Sequence, residues 1–173
     1  DVANHLRIAR YDMISITKQI CDLFVDWIAM NNVEFHINTQ TSVLWVWIDR
    51  RKMEFALRVL LSNALKNTYR FGKISINISV VRSNGKAYCS FSIQDDGLGE
   101  SESTRLGLKQ IVDMTESSGA IFEGISSEDE TGTQYTILIP LGRSHYMERA
   151  VEFIEPDGDL VKLNEMQKEE IAE

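Results

Sequence analysis

Along residues 15–32, SITKQICDLFVDWIAMNN, the apolar positions Ile16, Ile20, Leu23, Phe24, Trp27 and Ile28 recur at helical spacing and make one stripe. Ser15 stands where an N-cap belongs, so the pattern predicts an amphipathic helix. The spacing then changes. VEFHI (33–37) and LWVWI (44–48) are short β-branched and aromatic runs separated by polar residues, which predict two strands and a turn. Asp49 can cap a second helix across RRKMEFALRVLLSNALKN, where Met53, Leu57, Leu60, Leu61 and Ala64 share a face. Next, KISINISVV alternates strictly, with Ile74, Ile76, Ile78 and Val80 on one side and Ser75, Asn77 and Ser79 on the other. The turn Ser83-Asn84-Gly85 sends the chain back through AYCSFSIQ, whose Ala87, Cys89, Phe91 and Ile93 match the apolar face, so a long antiparallel hairpin is expected. After the loop DDGLGE come a third amphipathic helix near Leu106 to Ser117 and two strands, AIFEGIS and TQYTILIP. Three helices and mostly sequential strands predict an α+β fold, a two-layer α/β sandwich with the helices on one face of a sheet.

Beyond Pro140 the pattern weakens. Residues 145–173 hold nine acidic side chains against three basic ones, a net of −6, which predicts a solvated acidic tail or linker with one docked turn around Val151 to Ile154. The reading therefore divides the chain into a domain over 1–144 and a tail over 145–173. The whole chain, 173 residues with 43% hydrophobic and 25% charged positions, is large enough for one sizeable core. Its formal charge of −8 argues against a nucleic-acid or anionic-membrane surface, which demands a basic footprint. Cys21 and Cys89 fall at apolar positions of a helix and a strand and are expected to be buried free thiols in a reducing compartment. No apolar run approaches a membrane span, and the acidic start DVANHLRIAR does not look like a signal peptide, so a cytoplasmic setting is expected.

Candidate chemistry sits in three places. Asp95-Asp96-Gly97-Leu98-Gly99 ends a strand, and by itself could be a plain turn. Upstream, LLSNALKNT puts Asn63, Lys66 and Asn67 together one turn apart on a helix face away from the apolar stripe. Downstream, RLGLKQIV opens a helix with Gly107 in its first turn, and GTQYTILIP closes the set.

In this order, LLSNALKNT, DDGLGE, RLGLKQI and GTQYTILIPL resemble the N box, the two glycine boxes and the closing strand of histidine kinase catalytic domains, in the GHKL ATPase superfamily, over residues 12 to 142. The resemblance implies a mixed sheet with ATP held between it and the helices. It implies that Asp95 accepts a hydrogen bond from the adenine amino group, which would reject guanine by leaving a buried acceptor unpaired. Gly97 and Gly99 would let the backbone approach the base. Asn63 would give a neutral oxygen to Mg²⁺, and Lys66 would meet a phosphate. Asn67, Arg105, Leu106, Gly107 and Leu108 complete the expected nucleotide contacts, with the helix starting near Gly107 aiming its N–H groups at the phosphates. Thr133 resembles the threonine that bonds near the adenine, although a threonine suits any strand.

The chain also departs from the family pattern. Val59 stands one turn before Asn63, where the family usually has asparagine and the ATP-hydrolysing superfamily members have a glutamate base; valine cannot take a proton. Only Glu100 to Arg105 lie between Gly99 and Leu106, a short lid, and Ser103 and Arg105 replace common glycines. None of His5, His36 and His145 has the acidic helical setting of a phosphoacceptor, so surface or packing roles are expected for them. The resemblance then implies ATP and Mg²⁺ as cofactors, and as partners an N-terminal dimerisation and histidine phosphotransfer domain and a response-regulator receiver domain. A non-catalytic module of the same fold, transmitting conformation or holding a partner, is the alternative.

Overall fold

The computed structural model describes residues 6–97, 102–128, 131–146 and 151–155, with the side chains of 102–107, 126–128 and 131 outside that description. Its elements run β1 (Leu6–Asp12), α1 (Met13–Asp22), α2 (Val25–Met30), β2 (Glu34–Thr39), β3 (Trp45–Ile48), α3 (Arg50–Asn67), β4 (Lys73–Ser83), β5 (Lys86–Asp95), α4 (Glu102–Ser117), β6 (Ile121–Glu128), β7 (Thr131–Pro140) and β8 (Val151–Phe153), with a 3₁₀ turn at Arg143–Tyr146. Five strands form a mixed sheet in the order β2-β4-β5-β7-β6, parallel only between β2 and β4. The β4–β5 hairpin turns on Asn84 and Gly85, both at positive φ, which the two-residue turn requires.

The alternation along β4 decides which face is buried. Ile74, Ile76 and Ile78 are buried and join Phe91 and Ile93 of β5 and Ile137 and Ile139 of β7 in one core with Met53, Leu57, Leu60, Leu61 and Ala64 of α3. Lys73, Asn77 and Ser79 on the opposite face are exposed. Helices on one side and polar side chains on the other make the two-layer α+β sandwich. Each fully buried aliphatic side chain contributes on the order of 2 kcal/mol from burial alone, so the apolar stripes select this layering over alternatives. Cys21 and Cys89 are free and buried, and burial pushes both thiols up to about 12.

Several elements differ from the sequence pattern. The first helix begins at Met13, capped by Asp12 rather than Ser15: the Asp12 carboxylate accepts from the N–H groups of Ile14 (3.1 Å) and Leu44 (2.9 Å). It stops at Asp22 and restarts as α2, so Leu23, on the expected stripe, is 64% exposed. The two short runs after it are not neighbours: β2 pairs with β4 and β3 with β1. A second, three-stranded sheet, β3-β1-β8, thus stands beside the first. Strand β1 is buried on both faces. Leu6 and Ile8 face a small cluster with Trp47 and Tyr146, while Ala9 and Tyr11 enter the main core. Residues 151–153, read as a docked turn, are a strand parallel to β1.

This small sheet holds α3 in place. Asp49 follows β3 and caps α3, its carboxylate accepting from the Lys52 N–H (3.3 Å) and from the Arg7 N–H of β1 (3.0 Å). The Tyr146 hydroxyl donates to the Trp47 carbonyl across the same sheet at 2.5 Å. Gly119, at φ 98, makes room for that ring: a Cβ there would lie 2.7 Å from the Tyr146 hydroxyl oxygen. No helix among the described residues is long and apolar enough to cross a membrane.

Candidate functional site

Asp95 is the last residue of β5 and is 2% exposed. Its neighbour Asp96 serves the backbone: its carboxylate accepts from the Lys73 N–H at 2.9 Å and ties the loop to β4. Asp95 turns inward instead. Its Oδ1 accepts from the Gly97 N–H at 3.0 Å, while its Oδ2 is buried with no hydrogen-bond partner among the described residues. Burial raises this carboxyl to about 6, and Asp96 pushes the same way against the opposing influence of the Gly97 and Thr133 backbone N–H groups.

Two glycines let the backbone close around that carboxyl. A Cβ on Gly97 would stand 1.6 Å from the backbone oxygen of Asn67, so the α3 C-terminus and the turn after β5 are in direct contact. Gly132 has φ 74, and a Cβ there would meet the Asp95 carbonyl at 2.3 Å; its N–H donates to the Gly97 carbonyl at 3.1 Å. Gly132 was not among the residues expected at the site. Its only trace in the sequence is the glycine before Thr133.

Thr133 pairs with Asp95 across the β5–β7 ladder and is buried, with Oγ1 unpartnered among the described residues. The buried Asn67 has its Nδ2 in the same condition. Three of the four buried side-chain atoms lacking a partner among the described residues therefore belong to Asp95, Thr133 and Asn67. Since such a group costs about 1–3 kcal/mol when left unmade, their concentration marks a place for a polar ligand.

One turn back along α3, Asn63 donates from Nδ2 to the Tyr135 hydroxyl at 3.0 Å. The amide nitrogen spends one of its two hydrogens there, and the carbonyl oxygen is the group Asn63 can offer to a cation. Asn63 lines a cleft of about 600 Å³ with Phe24, with Phe55, Arg58, Val59, Ser62 and Lys66 of α3 and with Gln110 and Ile111 of α4. Lys66 is exposed and brings a cation to this cleft, and Arg58 a second one that composition and motif reading missed. Asp95 does not line the cleft. It borders a smaller cavity of about 150 Å³ with Lys73, Ser75, Gln94 and Asp96. Asn63, which lines the cleft, and Asn67, whose carbonyl touches the turn at Gly97, are one turn apart on α3.

A neutral amide oxygen suits Mg²⁺, which takes oxygen ligands and keeps positions for phosphate and water. Among the described residues no group of three His, Cys, Asp or Glu could hold a metal alone.

The second glycine box is arranged differently from expectation. Glu102, not a residue near Gly107, opens α4, so Gly107 lies in the second turn, where N–H groups are already spent within the helix. Residues 102–105, read as lid, are helical; the side chains of Arg105 and Leu106 and the whole of Gly99 lie outside the described residues. Leu108 is half-buried and packs on the core. Of the histidines, His36 pairs with Glu34 at 3.1 Å and His145 stacks edge-on against Tyr88, its pKa lowered by burial; His5 is outside the described residues.

No protein-family model matches the chain. A curated protein of Formosa agariphila, histidine kinase P4, is 22% identical over 172 residues, covering 85% of this chain and 12% of that protein. The chain therefore spans about an eighth of that relative's length. Among solved structures, the nucleotide-free catalytic domain of histidine kinase ThkA aligns with a TM-score of 0.67 at 21% identity, over 78% of this chain and 97% of that one. ThkA in complex with the response regulator TrrA gives 0.68 at 22% identity, over 79% of this chain and 42% of that one. Full-length ShkA in complex with AMPPNP gives 0.64 at 18%, over 79% and 32% of the two chains. The chain has the fold of histidine kinase catalytic domains.

Proposed function

We propose that this chain is the ATP-binding catalytic domain of a sensor histidine kinase, which passes the γ-phosphoryl group of ATP to a histidine on a separate dimerisation domain. The observation that carries the reading is the Asp95 Oδ2 atom, buried without a partner among the described residues beside the turn whose Gly97 touches Asn67, while Asn63, one turn back along α3, lines an open cleft that carries Lys66 and Arg58. A buried acceptor fits the exocyclic amino group of adenine, and two cations fit its phosphates. The AMPPNP complex of ShkA, a protein of the same fold, supports an adenine nucleotide as ligand, and the ThkA–TrrA complex supports a response regulator as partner.

In this reading Asp95 and Thr133 hold the base, Gly97 seats the turn against α3, Gly99 admits the base, and Lys66 and Arg105 serve the phosphates. Asn63 would hold Mg²⁺, which would neutralise charge on the β- and γ-phosphates. Transfer breaks the bond between the γ-phosphorus and the bridging oxygen, releases ADP and forms a phosphorus–nitrogen bond to the imidazole. No residue here has to activate water, and the apolar Val59 at the cleft does not. What the chain supplies is position and charge.

Residues 1–144, together with the Tyr146 turn and β8 that pack on Trp47 and β1, form the nucleotide-binding unit, and the acidic sequence beyond it serves as the link toward the receiver domain. The setting is cytoplasmic. To test the reading, radiolabelled ATP and Mg²⁺ are incubated with this chain alone and with the protein extended to its N-terminal helices. Acid-labile, base-stable phosphate on the longer protein only is the expected result; label on the short chain, or no nucleotide binding by either, would refute it.

A further inference from the structure

Resting on the adenine-nucleotide reading above, we infer that Asn67 is a specificity residue: its amide donates a hydrogen bond to an adenine ring nitrogen beside the 6-amino group, while Asp95 accepts from that amino group. The placement follows from two contacts and one register. Asn63 reaches Tyr135 of β7, which fixes one point of α3 over that strand. Asn67 is one turn further along α3, on the same face, and its carbonyl touches Gly97, which fixes the second point. Thr133 lies two residues from Tyr135, on the same side of β7, and pairs with Asp95 as Tyr135 pairs with Ile93. Asn67 therefore stands over the Asp95–Thr133 pair.

The chemistry of the three side chains is complementary to one edge of one base. Asp95 Oδ2 is an acceptor and Asn67 Nδ2 a donor, and both are buried without a partner among the described residues. Adenine presents a donor amino group flanked by the ring acceptors N1 and N7. Asparagine matches that donor–acceptor pattern, and with a carboxylate taking the amino hydrogen, its NH₂ is left for a ring nitrogen. Guanine puts a carbonyl oxygen against the Asp95 carboxylate and loses that bond, and where Asn67 reaches N1 rather than N7, guanine's N1–H meets its donor and the second bond is lost as well. Two buried groups that only the right base satisfies discriminate more sharply than one.

The test is titration calorimetry of the 173-residue chain with ADP, 1-deaza-ADP and 7-deaza-ADP, on the wild type, Asn67→Ala, Asn67→Ser and Asp95→Asn, with thermal unfolding to confirm folding. Wild type is expected to bind one deaza analogue about tenfold more weakly than ADP. Asn67→Ala is expected to lose about tenfold on ADP and to show no further loss on that analogue, because the bond is already gone. Equal wild-type affinity for all three ligands, or an undiminished analogue penalty in Asn67→Ala and Asn67→Ser, overturns the role of Asn67. If Asn67→Ala does not fold, the wild-type comparison and Asn67→Ser decide. ADP binding that Asp95→Asn abolishes, with no coupling at Asn67, sinks this inference alone; no ADP binding by the wild type sinks the nucleotide reading with it.

Discussion

The backbone oxygen of Asn67 fills the space that a side chain on Gly97 would need, 1.6 Å from the position of its Cβ. Helix α3 and the turn after β5 are packed backbone to backbone, so the order of the turn and the seating of the helix are one constraint. Gly97→Ala is expected to push these apart, destabilise the fold by roughly 1–3 kcal/mol and remove nucleotide binding. Urea denaturation and ADP titration measure the two effects; a variant of wild-type stability would contradict the contact.

Asp95→Asn should leave the domain folded and abolish adenine-nucleotide binding, because an amide can present a donor where the base presents one. Thermal unfolding checks the first half and calorimetry the second. Unchanged affinity would remove Asp95 from the site.

The raised carboxyl of Asp95 gives a pH dependence with a definite sign. Between about pH 4, where an ordinary carboxyl ionises, and about pH 6, where Asp95 does, the folded chain holds a proton that the unfolded chain has released. Its contribution to stability therefore falls as pH rises through that window and is level above it. Nucleotide binding runs the other way: the ionised acceptor is the better one, so affinity should drop as pH falls through about 6. ADP titrations of the wild type and urea denaturation of wild type and Asp95→Asn, each between pH 4 and 8, check the two slopes; a stability slope unchanged in Asp95→Asn would assign it to another group.

Asn63→Ala should weaken binding of Mg²⁺-ATP far more than binding of metal-free nucleotide. Asn63 lines the cleft, and its carbonyl oxygen is the acceptor that a cation can use while the amide nitrogen holds Tyr135. Titrations with and without Mg²⁺ separate the cases, and equal losses would assign Asn63 to packing.

Asp49→Ala removes the cap of α3 and the bond to the Arg7 N–H in one substitution. A loss of roughly 2 kcal/mol in urea denaturation is expected. A change within 0.5 kcal/mol, about the scatter of surface substitutions, would show that the small sheet does not anchor the helix.

The apolar rhythm by itself determined the long helix over Arg50–Asn67, the β4–β5 hairpin with its Asn84-Gly85 turn, and the helix-covered sheet, because period and turn chemistry are local properties. It also put Asp95 at a strand end, with Asn63 and Lys66 on one helix face. Tertiary structure alone decided the rest. Strand β1 is buried on both sides, so its pattern carries no clean alternation, and its partners β3 and β8 are remote in sequence. The break after Asp22 comes from seating Phe24 and Ile28 on the core, which exposes Leu23. Asp95 and Asp96 are the same residue type side by side; only the fold assigns one to the Lys73 backbone and the other to the interior. Likewise, no single segment shows that Asn67, Asp95 and Thr133 each keep a polar atom without a partner among the described residues. Burial and partnership are properties of three elements brought together, and a polar group becomes costly, hence informative, only once the fold has removed it from water.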